Sequence, residues 1–169
     1  MKQLLILRHA KSDWKTSFES DHDRPLAKRG TVAARLMGRF LTKLDQEPDL
    51  ILSSTAERAR QTAELAKQSG DWDCPLVLCG EFYGSSPAAV LSVITAQEAV
   101  HSRLLLTGHE PTWSQLVGAL TGGGEPRMPT AAIAKIDLPI DDWADLRAGQ
   151  GTLSWLVSPK LLLALDFDD

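Results

Sequence analysis

The sequence predicts an α/β fold: a three-layer α/β/α sandwich with a mainly parallel sheet and an antiparallel edge. Three observations predict it. Short, continuous apolar runs ended by polar residues recur along the chain, stretches of helical periodicity separate them, and two alternating runs occupy the C-terminal third. Strands buried on both faces read as unbroken apolar runs, and strands alternating with helices imply right-handed βαβ units.

Leu4-Leu5-Ile6-Leu7 is the first such run and ends at Arg8-His9. Leu50-Ile51-Leu52 before Ser53-Ser54, Leu76-Val77-Leu78 after Pro75, and Leu104-Leu105-Leu106 before Thr107-Gly108-His109 have the same form. Between them, Ala33, Leu36, Met37, Phe40, Leu41 and Leu44 lie 3 or 1 residues apart, which predicts one apolar stripe on a helix over 31–44. Residues 56–68 are rich in Ala, Glu, Arg and Gln, with Thr55 as N-cap and Gly70 just past the end. Ser86-Pro87 opens a helix to Ala96, with Ser as N-cap and Pro at its first position. A fourth helix, from Pro111 to Leu120, stops before Gly122-Gly123-Gly124.

Ala132, Ala134, Ile136 and Leu138 then alternate with partners on the other face, and 152–157 makes a second alternating run. These predict the antiparallel pair at the sheet edge, joined by the stretch around Asp141-Asp142 and Gly149 to Gly151. The last residues, Asp166-Phe167-Asp168-Asp169, read as a frayed tail.

Composition bounds the function. A length of 169 residues predicts one domain over 1–169, and 43% hydrophobic with 24% charged residues is ordinary for a globular protein. The net charge is −4, with Lys and Arg scattered, which argues against a nucleic-acid or membrane partner. Any phosphate it binds must therefore meet a local site. Cys74 and Cys79 fit neither a disulfide framework nor a CxxC pair and read as thiols of a reducing compartment. The apolar runs at 4–7 and 161–165 fall short of the roughly 20 residues a bilayer needs, so a cytoplasmic location is expected.

Ligands of open α/β sheets bind beyond the carboxyl ends of the strands. Those ends deliver Arg8 and His9, then Arg58 in the first turn of the second helix, then His109. An arginine there opposes the helix dipole unless an anion sits beside it. Cations around an imidazole suit phosphoryl transfer, since the cations stabilise the equatorial oxygens and the imidazole can attack phosphorus. No GxxxxGK[ST], GxGxxG or GxSxG occurs, and neither a cofactor nor a metal is expected. Asp21-His22-Asp23 reads as a solvated loop rather than a metal cluster because Arg24 adjoins it. Gly122 to Gly124 reads as a helix exit rather than a phosphate cradle.

These residues carry a resemblance. Leu5-Ile6-Leu7-Arg8-His9-Ala10 resembles the hallmark Arg-His-Gly of the histidine phosphatase superfamily, with its phosphoglycerate mutase-like fold, and within it the small SixA-type phosphohistidine phosphatases. Asp23-Arg24-Pro25-Leu26 with Arg29-Gly30, Ser53 to Ala63, and Thr107-Gly108-His109-Glu110-Pro111 are similar to its later motifs, so the resemblance spans Leu4 to about Pro159. It implies a phosphohistidine intermediate at His9, with Arg8, Arg58 and His109 binding the phosphoryl group. Arg58 is preferred to Arg60 on the family pattern, and Arg24 with Ser17 or Thr16 would add contacts.

Two departures follow. Position 10 is Ala instead of Gly, and larger members carry a cap between the third and fourth strands that cannot fit between Cys79 and Arg103. Glu81 is the carboxylate near that strand exit, either a proton donor or a solvated loop residue. General acid catalysis typically contributes about 10²–10⁴-fold and a sugar alkoxide needs it, whereas an imidazole leaving group, with a pKa of about 6.5, can take its proton from water. A capless chain with a doubtful acid is thus expected to be a metal-independent phosphatase of phosphohistidine on a protein, such as a phosphorelay domain. The alternatives are a small-molecule phosphomonoesterase using Glu81 and a phosphoprotein-binding module without turnover.

Overall fold

A computed structural model describes residues 1–167. The apolar runs become strands β1 (Lys2–Arg8), β2 (Leu50–Ser54), β3 (Leu76–Cys79) and β4 (Arg103–Gly108), and the alternating runs become β5 (Ile133–Leu138) and β6 (Thr152–Val157). They form a six-stranded sheet in the order β3-β2-β4-β1-β5-β6. β3, β2, β4 and β1 pair in parallel, while β5 runs antiparallel to β1 and β6 to β5. The fold is the expected mixed α/β sheet with an antiparallel edge.

Period two in the strands divides the core into two layers. Leu5, Leu7, Ile51 and Leu105 face α1 (Lys28–Lys43) and α2 (Glu57–Gly70). Leu4, Ile6, Leu52 and Leu106 face α3 (Pro87–Thr95) and α4 (Thr112–Thr121). Because β1 and β4 lie at the centre, Leu4 to Leu7 and Leu104 to Leu106 are fully buried.

Several local expectations are corrected. β3 is not buried on both faces: it is an edge strand, and Val77 and Leu78 are each 47% exposed. An apolar triplet carries no information about whether its strand has one neighbour or two. α1 begins at Lys28, three residues before the expected start, where Gly30 packs directly on the backbone of Lys11. Thr55 does not cap α2; Ala56 holds that position, and the Thr55 hydroxyl meets His22 Nε2 instead. Gly70 is the last residue of α2, and Asp71 takes the left-handed conformation at φ 56°. Gly122, at φ 86°, closes α4 as a helix exit.

The leucines after β6 form a short helix, α5 (Pro159–Ala164), which their spacing in the sequence does not announce. Its end is not frayed as far as it is described: Phe167 stacks edge-on against Phe40 with ring centroids 5.4 Å apart. Asp168 and Asp169 lie outside the described residues.

Candidate active site

Every parallel strand points its carboxyl end to the same edge of the sheet, and four of the expected side chains meet there. The β1 exit is pinned by both neighbours, since His9 N–H donates to the Gly108 carbonyl (2.9 Å) and Ala131 N–H to the carbonyls of Arg8 and His9 (3.1 Å each). Ala10 N–H donates to the Thr62 hydroxyl of α2 at 2.9 Å, and that hydroxyl donates to the Arg58 carbonyl at 2.6 Å. One hydroxyl therefore ties the β1 exit to the start of α2, and it fixes His9 relative to Arg58. Trp113, wholly buried under the site, donates from Nε1 to the Leu7 carbonyl at 2.9 Å.

His9 is 7% exposed and its Nδ1 lies 2.8 Å from the Ala10 carbonyl oxygen. A carbonyl only accepts, so Nδ1 carries the proton and Nε2 of the neutral ring keeps its lone pair. Burial, the largest cause, pushes the ring down to about 3, with the charges of His109, Arg58 and Arg8 adding to it against the Ala10 hydrogen bond. At neutral pH His9 is thus an uncharged imidazole with one free nitrogen.

The His109 ring stands 5.2 Å from His9, centroid to centroid, tilted by 51°. Its Nε2 meets the Ser54 hydroxyl at 2.8 Å, while Nδ1 is buried without a partner among the described residues. Burial and the Arg58 charge bring it down to about 4, with Asp21 opposing. Arg8 donates from one terminal nitrogen to the Met128 carbonyl at 2.9 Å. Arg58, 5% exposed, spends both terminal nitrogens on Asp21, one on its carbonyl (2.8 Å) and one on Oδ2 (3.1 Å). The Nε atoms of both arginines are buried and unpartnered among the described residues. Buried donors normally find acceptors, and a tetrahedral oxyanion offers several.

Asp21 is a site residue that the sequence motifs do not single out. It sits on a one-turn 3₁₀ helix, Asp21–Asp23, that lies against the start of α2. Its carboxylate accepts from Arg58, from Arg24 Nε (3.2 Å) and a terminal nitrogen (2.9 Å), and from the Tyr83 hydroxyl (3.0 Å). Burial opposes its charge, but the bonds from Arg24 and Tyr83 and the Arg58 charge outweigh it and hold the carboxyl down at about 2. Tyr83, the one tyrosine of the chain, stands edge-on to His109 with centroids 5.6 Å apart. Asp21 follows no apolar run, and Tyr83 lies two residues beyond Glu81 after the third run, so inspection of the residues right after each strand passes over both.

The remaining candidates fall elsewhere. Arg24 is buried behind Asp21, bound also to the Ser12 hydroxyl. Thr16 bonds Asp13 within its own loop, and Ser17 is exposed. Arg60 pairs with Glu57 and Glu64, both at 2.7 Å, which leaves Arg58 as the arginine of the site. Glu81 does not join the ring around His9: it is exposed and lines a groove between β3 and α3 with Leu78, Ala89 and Val93. The one-turn helix Gly80–Phe82 carries it there because Phe82, against Trp113, faces inward. Among the described residues no group of three or more His, Cys, Asp or Glu is placed to hold a metal ion.

Comparison with known proteins decides the family. The family model of the histidine phosphatase superfamily (branch 1) matches residues 4–81. The chain is 32% identical over 164 residues to phosphohistidine phosphatase SixA of Escherichia coli K12, covering 93% of this chain and 94% of that protein. The chain belongs to the histidine phosphatase superfamily. An uncharacterised protein of Mycobacterium tuberculosis is 36% identical over 91% of this chain and all of its own length. The solved structure of the protein histidine phosphatase SixA complexed with tungstate superposes with a TM-score of 0.83 at 28% identity, over 95% of this chain and 99% of that one.

Residues 80–102, the stretch in which the resemblance led a cap to be looked for, hold only the Gly80–Phe82 turn, the nine-residue α3 and its flanking loops. Ala10, in place of the family's Gly, is wholly buried and its φ is not positive, so the methyl group costs no backbone strain.

Proposed function

We propose that this protein hydrolyses phosphohistidine on a partner protein, with His9 as the nucleophile. His9 Nε2 attacks the phosphoryl phosphorus, the bond from phosphorus to the substrate imidazole breaks, and that imidazole takes a proton from water. Water then attacks the phosphohistidine at position 9 and releases inorganic phosphate. Arg8, Arg58 and His109 neutralise the charge on the equatorial oxygens in both steps. The similar SixA protein was solved in complex with tungstate, a tetrahedral oxyanion, which supports a phosphoryl site of this kind.

One observation carries the choice of a phosphorus–nitrogen bond: among the described residues, the carboxylates of Asp21, Glu110 and Glu81 are each engaged by other partners or turned to another groove. Asp21 is held ionised at about 2 by Arg24, Tyr83 and Arg58. Both oxygens of Glu110 are engaged by Ser114, through N–H at 2.8 Å and through the hydroxyl. Glu81 lies in the β3–α3 groove. An ester oxygen would leave as an alkoxide without help, whereas an imidazole leaves readily near neutral pH. The small-molecule esterase reading thereby loses its proton donor.

The test is a substrate panel. Free phosphohistidine, phosphoramidate and a phosphorelay domain phosphorylated on histidine are expected to turn over at least about 10²-fold faster, in kcat/KM, than sugar phosphates. Equal or faster turnover of sugar phosphates overturns the assignment, and binding without any phosphate release favours a recognition module.

A further inference from the structure

Two adjoining grooves lie along the segment that follows His9, and Lys11 and Arg29 line both. The first, of about 530 Å³, is walled by Lys11, Arg29 and Lys160. The second, of about 510 Å³, shares Lys11 and Arg29 and adds Lys15, Lys28 and Trp14. The topology fixes their place. Lys11 follows His9 by two residues, and Lys28 and Arg29 open α1, whose Gly30 packs on the Lys11 backbone. Lys160 stands in the first turn of α5, which begins where β6 reaches the same edge. Five of the eighteen basic residues of a chain with net charge −4 thus gather on one side of the site.

This charge is not consumed within the fold. Among the described residues, Lys11, Arg29 and Lys160 take part in no ion pair. Asp13 lines the second groove, but its carboxylate accepts from Lys15 N–H at 2.8 Å and the Thr16 hydroxyl at 2.6 Å. Lys28, Arg29 and Lys160 occupy first turns of helices, where the dipole favours acids, and neither helix has an acid there. Trp14 is 65% exposed, yet it is held over the Arg24 guanidinium, 3.7 Å from ring centroid to carbon, and edge-on to Phe18. A large aromatic already fixed in place loses little entropy on contact with a partner.

We propose that the two grooves dock the substrate protein, that its face around the phosphohistidine is acidic, and that Trp14 anchors it; this presupposes the phosphohistidine-protein activity proposed above. With no cap to select a small substrate, selection passes to this surface. Complementary charge steers encounter and sets register, and it is screened by salt over about 8–10 Å. A free phosphohistidine molecule meets only Arg8, His9, Arg58 and His109, so charge in the grooves separates protein turnover from small-molecule turnover.

The experiment uses the double variant Arg29→Glu/Lys160→Glu, which places an acid in each helix first turn and so keeps both helices. Its kcat and KM are measured against ionic strength on free phosphohistidine and on an acidic phosphorelay domain phosphorylated with phosphoramidate. Expected are an about ten-fold rise in KM for the domain, a flattened or reversed salt dependence, and unchanged kinetics on free phosphohistidine. Trp14→Ala raises KM for the domain alone. Unchanged KM for the domain in both variants overturns the docking surface, and so does an equal loss on both substrates, which makes the grooves part of a small-anion site. A wild-type protein inert toward both substrates overturns the activity itself, a result distinct from either.

Discussion

Acidification perturbs the two site histidines in a way that stability measurements can read. In the unfolded chain their rings bind protons near the ordinary 6.5, but in the folded protein burial brings His9 down to about 3 and His109 to about 4. Acid therefore favours the unfolded chain. The stability tied to these rings is fully present above pH 6.5 and drains as pH falls toward the folded values. At pH 5 an unfolded ring is protonated in about 30-fold excess, so each histidine costs about 2 kcal/mol relative to pH 7.5 and the pair about 4 kcal/mol. Total stabilities run about 5–15 kcal/mol, so the loss is large. Urea unfolding at the two pH values reads it: with a slope of about 2 kcal/mol/M, the wild-type midpoint falls by about 2 M. His9→Gln, which has no ring to titrate, is expected to lose about half as much over the same range. Parallel wild-type and variant pH profiles, or a wild-type midpoint that does not move between pH 7.5 and 5, would refute the burial of a neutral His9.

Three further substitutions probe the supports of the site. Asp21→Asn keeps the carbonyl bond to Arg58 but removes the charge shared by Arg24, Arg58 and Tyr83. It should lower kcat/KM on phosphoramidate by about 10–100-fold, less than deleting an oxyanion donor outright; unchanged kinetics would show that Arg58 needs no such anchor. Glu81→Gln should leave both phosphoramidate and ester turnover within about two-fold of wild type, because the residue lies in the β3–α3 groove, whereas selective loss of ester turnover would reinstate it as an acid. Trp113→Phe removes the hydrogen bond to the Leu7 carbonyl in a fully buried position and is expected to cost about 1–3 kcal/mol in urea unfolding, with no cost if that bond is dispensable.

What is legible in the sequence is what repeats with a short period or follows a strand. Leu4 to Leu7 and Leu104 to Leu106 announce central strands because burial on both faces removes every polar residue, and the residues right after them, Arg8, His9 and His109, inherit the strand-end position. Arg58 shows itself by standing where a helix dipole disfavours it. Asp21 is illegible for the opposite reason. Its partner Arg58 lies 37 residues away, and an acid in a polar loop that stays half exposed shows no partner until the fold lays that loop against the start of α2. Glu81 shows the converse failure: proximity to a strand exit in sequence suggests a place near the site, but the inward turn of Phe82 directs the neighbouring carboxylate to another groove. Edge position, as in β3, depends on the order of strands in the sheet, which no local pattern encodes.

The nucleophile proposed for the reaction is the free Nε2 of His9. Rapid quenching at alkaline pH, after mixing with ³²P-labelled phosphoramidate or a ³²P-phosphorylated histidine domain, preserves an acid-labile phosphorus–nitrogen bond for peptide mapping. The label is expected on His9 in the wild-type protein and absent from His9→Ala, which should also lose turnover. Label on another residue, or full turnover by His9→Ala, would rule out His9 as the nucleophile.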